Sequence, residues 1–353
     1  MIMTHTPSRR RKRNPFFHPW YNALITLMLA GLLIYLAALL WQWAVAGAVV
    51  LPGQAAECMR AAGACWSIVQ VKWRLILFGF YPQTEIWRVV AVLVIVAAVA
   101  GISAFPRFWS RRLLALWAVA VITVLVLMSG GIFGLRYVSP DQWSGLPLTI
   151  ILSLGATIMA LPLGILLALA RQSRIIPVRA ASVAVIELVR GIPLVTALFV
   201  ASVVLPLFMP ADVTIPKIIR ALFCIAVFLA AYVAEAVRAG LLWVPNGQQE
   251  AAAALGFRYW RMQQLVVLPQ ALRVSLPGLI NAFLDFLQAT SLVVIVGLFD
   301  LLGTTRAAIA DTTWQAFYLE AYIAVGIIYF VLCFSISRYS GWLDNYLRRS
   351  LSR

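Results

Sequence analysis

Histidine is nearly missing from this chain. The only two, His5 and His18, stand before the first apolar run, which excludes a histidine-based site among the apolar segments. Lysine is scarce as well, with Lys12, Lys72 and Lys217 set against 25 arginines. Neither Gly-Lys-Ser nor Gly-Lys-Thr occurs, so the phosphate-cradling loop of a P-loop ATPase is absent. No nucleophile–base or metal-ligand grouping is visible, which leaves a membrane enzyme with little support. Four cysteines are scattered. Cys224 and Cys333 fall in apolar runs and read as packing residues. Cys58 and Cys65 share one loop and can pair if that loop faces an oxidising space.

Apolar residues are what the chain has in abundance. They fill 63% of its 353 positions, and charged residues only 11%. A soluble domain is about half apolar and about a quarter charged. The chain therefore reads as an all-α polytopic membrane protein. On that background a net charge of +16 is loop charge that sets topology, with no nucleic-acid partner implied.

A spanning helix needs about 20 mostly apolar residues. Eight candidates are found: 22–44, 88–104, 113–129, 146–170, 192–209, 219–240, 275–299 and 318–338. The run Arg9–Arg13 is too basic for a signal peptide and reads as a cytoplasmic tail over 1–21, with Phe16, Phe17, Trp20 and Tyr21 near the interface. An N-terminus inside the cell then places 20 of the 28 basic residues on the cytoplasmic side, as the positive-inside rule expects. Both termini are expected in the cytoplasm. The segment 51–87 becomes a long outside loop, and "WSIVQVKWRLILFGFYP" within it, broken by Lys72 and Arg74, reads as an interfacial helix.

One stretch does not fit the membrane: "QQEAAAALGFRYWRMQQLVVLPQALR", residues 248–273. Asn246 is a candidate cap, Glu250 is expected in the first turn, and Gly256 stands where a left-handed helix end is common. Between them Ala251 to Ala254 make a helix with almost no side-chain bulk, which lets another surface approach its backbone. Leu268-Pro269 is expected to break the chain before the seventh span. The outcome is a helix–turn–helix on the cytoplasmic side.

Its spacing carries a resemblance. Glu250-Ala251-Ala252, three residues, Gly256, nine residues, then Val266-Val267-Leu268-Pro269 resembles the EAA loop of ABC-transporter permeases. In that family the loop is a coupling helix that docks on a separate ATPase subunit. The likeness runs from about Gly145 to the C-terminus. "ELVRGIPLVTALFV" is similar to the signature of polar amino-acid permeases, here Arg190, Gly191, Pro193 and Leu194. "AYVAEAVRAGL", with Glu235 and Arg238, resembles the run leading into the loop. "TSLVVIVGLFDLLG" looks like the Thr-Ser-Leu region of the seventh span. The whole resembles the larger permease subunit of general L-amino-acid importers. The resemblance implies a permease core over 141–345 built from the last five spans, with the coupling loop at 246–270. An N-terminal extension covers 22–140, and a short cytoplasmic tail covers 346–353. It also implies a bacterial inner-membrane location and a second homologous permease. A periplasmic amino-acid-binding protein would deliver cargo, and an ATPase pair would bind ATP and Mg, with no cofactor or metal in this chain.

The family's Lys-Asp pair before Thr-Ser-Leu is replaced here by Gln288 and Ala289, while Asp285 stands one helical turn earlier. A carboxylate within a span faces a cavity or a partner. Asp285 and Gln288 therefore either line the translocation path, with Thr290 and Ser291 as donors to a substrate carboxylate, or Asp285 pairs with an arginine of the partner subunit. Glu187 with Arg190 and Glu235 with Arg238 are spaced for local ion pairs. An ion-coupled transporter or channel working without an ATPase is the alternative reading, with Asp285, Glu187 and Glu235 as an ion path.

Overall fold

The computed structural model describes residues 20–51, 53, 55–210 and 214–351. Arg9–Arg13, Phe16 and Phe17, and the side chains of Arg348, Arg349 and Arg353, lie outside them. No β-strand forms among the described residues. Seven helices there are long and apolar enough to cross a membrane, and an eighth span results if one bent pair counts as one crossing.

The chain divides into two compact units, residues 1–71 and 72–353. In the first, helix α1 (Trp20–Trp41) continues as a π-helical turn, Gln42–Ala46, and none of its residues is buried by the protein. A helix apolar on every side suits lipid rather than water. After it comes α2 (Ala55–Arg60), whose Cys58 is disulfide-bonded to Cys65. The loop is tied back to the end of α1. Ala64 N–H donates to the Trp43 carbonyl and the Trp66 indole N–H to that of Ala44, each at 2.8 Å. Helix α3 (Ser67–Phe78) contains the boundary between units and is too short to span.

The second unit begins with a hairpin of α4 (Ile86–Ser103) and α5 (Arg111–Ser129). Arg88 of α4 is fully buried there. Its charge is accommodated because Nε donates to Glu85 Oε2 and Nη2 to the Arg136 carbonyl, both at 2.8 Å.

The remaining helices are α6 (Gly145–Arg171), α7 (Ile176–Gly191), α8 (Leu194–Phe199), α9 (Leu205–Leu207), α10 (Lys217–Trp243), α11 (Asn246–Ala254), α12 (Tyr259–Met262), α13 (Leu268–Ala289), α14 (Leu301–Ile309) and α15 (Tyr318–Leu351). At their centre is α10, packed against α6 on one side and α13 on another. Its buried residues include Ala226, Ala230, Ala231, Ala234 and Gly240. Small residues at a membrane helix interface let backbones approach closely. The approach is close here: a Cβ added at Gly164 of α6 would collide with Val233 and the Ala230 carbonyl. One at Gly240 would collide with Ser275 and the Ala271 carbonyl of α13.

Three spans differ from the sequence expectation. The segment 192–209 does not span by itself: its helix, Leu194–Leu207, is short and joins α7 at a bend of 99°. Pro193 supplies no N–H, and the residue before a proline is pushed out of the helical region. Ile192 is indeed extended, with φ −98° and ψ 137°. The seventh span belongs to a continuous helix that starts at Tyr259, ends as a 3₁₀ turn over Thr290–Val296, and is closed by Gly297 at φ +77°. The last helix runs on to Leu351, beyond the apolar pattern that ends at 338.

If the close approach around α10 holds the fold, Gly164→Leu and Gly240→Leu will each lower the thermal unfolding temperature in detergent by several degrees or prevent stable insertion. Gly326→Leu, at a position of α15 with nothing near its missing Cβ, will leave unfolding unchanged.

Candidate functional site

Between α10 and α13 the chain leaves the bundle as α11, a turn, and α12. Three details differ from the sequence expectation. Pro245, not Asn246, occupies the cap position, and Asn246 is the first helical residue, so Glu250 falls in the second turn. The alanines are not equivalent either. Ala252 is 3% exposed and packs α11 inward on the π-helical turn Gln263–Val267, whereas Glu250, Ala251, Ala253 and Ala254 are exposed. Ala252 therefore holds the helix on its own chain, and the free surface belongs to its neighbours. Finally, Leu268-Pro269 does not break the chain. Pro269 sits in the first turn of α13, and the π turn before it gives its ring room from the carbonyl one turn back.

The C-terminal end of α11 is as expected. Gly256 has φ +78°; its N–H donates to the Ala253 carbonyl at 2.9 Å, and Phe257 N–H donates to that of Ala252 at 3.1 Å. These two bonds form the Schellman end, which satisfies carbonyls that would otherwise be orphaned.

An open-sided cavity of about 490 Å³ lies where the α7–α8 break faces α10 and α13. Arg190, Gly191 and Pro193 come from the break, Phe228 and Tyr232 from α10, and Asp285, Phe286 and Ala289 from α13. The rings of Tyr232 and Phe286 pack edge to face with centroids 5.5 Å apart, fixing the two helices at the cavity wall. The Arg190 guanidinium lies over the Tyr232 ring, 5.6 Å from its centroid. One cation and one carboxylate thus share an otherwise apolar hollow.

Other residues singled out in the sequence turn elsewhere. Gln288 is not in the lining; its Nε2 faces Cys333 Sγ of α15 at 3.5 Å. Thr290 is fully buried, and its hydroxyl donates to the Leu287 carbonyl at 2.7 Å. It belongs to a polar cluster in which the Tyr329 hydroxyl donates to Asp300 Oδ2 at 3.0 Å. Asp300 in turn caps α14 by accepting from Gly303 N–H at 2.8 Å. Ser291 is half-buried and outside the cavity lining.

Next to the cavity, charges from three helices meet. Glu235 of α10 contacts Arg171 of α6 and Arg238 of its own helix, the latter at 2.9 Å, with Arg190 of α7 at 4.0 Å. Arg171 also reaches Glu187 at 3.2 Å. The expected Glu235–Arg238 pair forms. Glu187 instead takes Arg171 and leaves Arg190 to Glu235, because Arg171 projects from the end of α6 between them. Arg171 and Tyr232 went unnoticed in the sequence. The signal for Tyr232 was present, since it stands one turn before Glu235 on one face. For Arg171 only its position at a span end was legible.

The family model described as binding-protein-dependent transport system inner membrane component matches residues 160–349, more than half of the chain. The chain belongs to that family. Similar proteins include the inner membrane amino-acid ABC transporter permease protein YhdY of Escherichia coli K12, 42% identical over 339 residues, which cover 94% of this chain and 91% of YhdY. The glutamate/glutamine/aspartate/asparagine transport system permease protein BztC of Rhodobacter capsulatus is 37% identical over 348 residues, covering 82% of this chain and 80% of BztC. A crystal structure described as an amino acid ABC transporter with histidines is 31% identical, with a TM-score of 0.51. It covers 57% of this chain and 92% of its own. The chain is thus a multi-pass ABC-transporter permease. The likeness to YhdY takes in nearly the whole chain, and that to the solved structure a little over half of it.

In this permease Glu235→Gln would leave three arginines facing one another. The groups are partly exposed, so the cost is expected at about 1–3 kcal/mol, between the surface and buried limits. Thermal unfolding of the purified chain checks this; removing only one of the more exposed arginines, with Arg238→Gln, is expected to cost less.

Proposed function

We propose that this permease is one subunit of an ATP-driven amino-acid importer. It forms the translocation path with a second, homologous permease, receives cargo from a periplasmic binding protein, and is driven by a separate pair of ABC subunits that bind ATP and Mg. Both termini lie in the cytoplasm in this reading. The names of YhdY and BztC support amino acids as the cargo. The absence of a phosphate-cradling loop supports a separate motor.

The observation that carries the reading is the connection of α11 to both walls of the cavity. Its exposed face, Glu250, Ala251, Ala253 and Ala254, has little bulk and is free to seat in a groove of an ATPase. Behind it, α10 and α13 are the two helices that the loop joins, and both contribute to the cavity lining. A displacement of α11 therefore reaches Tyr232 through one helix and Asp285 through the other. ATP binding draws the two ATPase subunits and their docked loops together, opening the path outward; hydrolysis reverses it. In the cavity, Arg190 suits the carboxylate of an amino acid and Asp285 its ammonium group, each interaction strengthened where water is scarce. Gln288, Thr290 and Ser291 play no direct part, since they are outside the lining of the hollow.

Two experiments test these assignments. Ala251→Trp places bulk on the exposed face without disturbing the interior, so the permease is expected at normal membrane levels but without co-purifying ATPase. Retention of the ATPase and of uptake would remove α11 from the coupling role. Asp285→Asn is expected to lower uptake of labelled amino acids at least about tenfold, the loss of one charge-assisted hydrogen bond, with ATPase association intact. Uptake that continues along an ion gradient after ATP is exhausted would instead favour the ion-coupled alternative.

A further inference from the structure

The connection between α4 and α5 carries Arg107, Arg111 and Arg112, and no acidic residue occurs anywhere from Ile86 to Pro140. None of the three makes an ion pair among the described residues, in contrast to Arg171, Arg190 and Arg238. Arg111 and Arg112 open α5, with no acid in its first turn and no cap from the Ser110 side chain. The N-terminal end of a helix carries partial positive charge, so two arginines there add like charge to like. The arrangement is electrostatically incomplete.

Beside it lies a cavity of about 560 Å³. Arg107, Ser110 and Arg112 line one part, and Ile102, Leu113 and Leu116 give the rest an apolar surface. The Arg107 guanidinium rests over the Phe108 ring, 4.7 Å from its centroid, which steadies it at the edge. Trp109 and Trp117 flank the site, and their indole N–H groups donate to the Ser103 carbonyl at 2.9 Å and the Ser103 hydroxyl at 3.0 Å. Indole rings anchored in this way are typical of the headgroup level of a bilayer. The cavity stands at the ends of two spanning helices, where headgroups are the neighbouring solvent.

We infer that this cavity is a binding site for an anionic phospholipid. The phosphate takes the place between Arg107 and Arg112, close to the N-terminal end of α5. Guanidinium forks match phosphate oxygens in pairs, and an anion at the helix start cancels the like-charge excess. The glycerol and the first acyl carbons cover Ile102, Leu113 and Leu116. An inorganic phosphate ion satisfies only the charged half of this cavity, and a neutral headgroup only the apolar half. Basic pockets between spanning helices near a membrane face are suited to such lipids.

The test uses the full-length permease in its assembled transporter, purified in detergent. Native mass spectrometry then follows retention of added phosphatidylglycerol, with phosphatidylcholine as the neutral comparison. Retention of phosphatidylglycerol over phosphatidylcholine is expected, falling roughly tenfold in the double variant Arg107→Gln, Arg112→Gln. Arg174→Gln with Arg179→Gln, two arginines that line neither of the two cavities, is expected to retain the lipid. Leu116→Trp, which keeps both charges but fills the apolar wall, is expected to reduce retention as well. It also provides the measurement if the double arginine variant fails to insert. Equal retention of the two lipids, equal loss in both arginine pairs, or full retention in Leu116→Trp would each overturn the assignment. Displacement of the lipid by millimolar inorganic phosphate alone would overturn it too, marking a simple anion site.

Discussion

Lipid offers no hydrophobic force to press one apolar helix against another, so this bundle is held by how closely its backbones can approach. The constraint is concentrated on α10. Five alanines and Gly240 are interspersed among its larger buried residues, Gly164 lets α6 come against Val233, and Ser275 of α13 occupies the space that Gly240 leaves. Dispersion attraction grows steeply as surfaces close, so a helix with little bulk gains most from tight neighbours. The functional groups depend on that placement. Phe228, Tyr232 and Glu235 follow one stripe of α10, and the loop carrying α11 begins where α10 ends.

Several charges inside the bundle follow a second rule: each is met by partners from neighbouring segments. Arg88 is fully buried yet has a carboxylate and a backbone carbonyl as partners. Glu235 gathers arginines from three helices, so one carboxylate ties together α6, α7 and α10. Such clusters have discrete arrangements rather than a continuum, because a guanidinium either meets a carboxylate oxygen or does not. That property suits a permease whose helices must take up two orientations.

Much of this architecture is legible in the sequence, and the reasons are physical. Long apolar runs mark spans because the hydrocarbon thickness fixes their length, and Gly256 marks the end of α11 because few other residues adopt its positive φ. The break at Ile192-Pro193 was also written in the chain, though a hydropathy average passes over it; the proline alone signalled it. The Arg171–Glu235 contact and the partition of the α11 alanines into one buried and three exposed were not legible. Both depend on which helices become neighbours, and periodicity within one segment carries no information about its partner. Gln288 shows the same limit. Its distance from Asp285 placed it on a shared face, but the neighbouring α15 drew it to Cys333.

The π turn at Gln263–Val267 has a consequence for how such a chain tolerates changes in length. A π turn is an α-helix that has absorbed one surplus residue, with the flanking helical faces left nearly in place. A lineage that shed one residue there and also replaced Pro269, whose ring relies on the π turn for room, would regain an ordinary turn, and Asp285 would still look into the same hollow. The same deletion farther along α13 would swing every later side chain by about 100°. A deletion is thus survivable at the base of the loop once Pro269 is exchanged, and ruinous a few turns later.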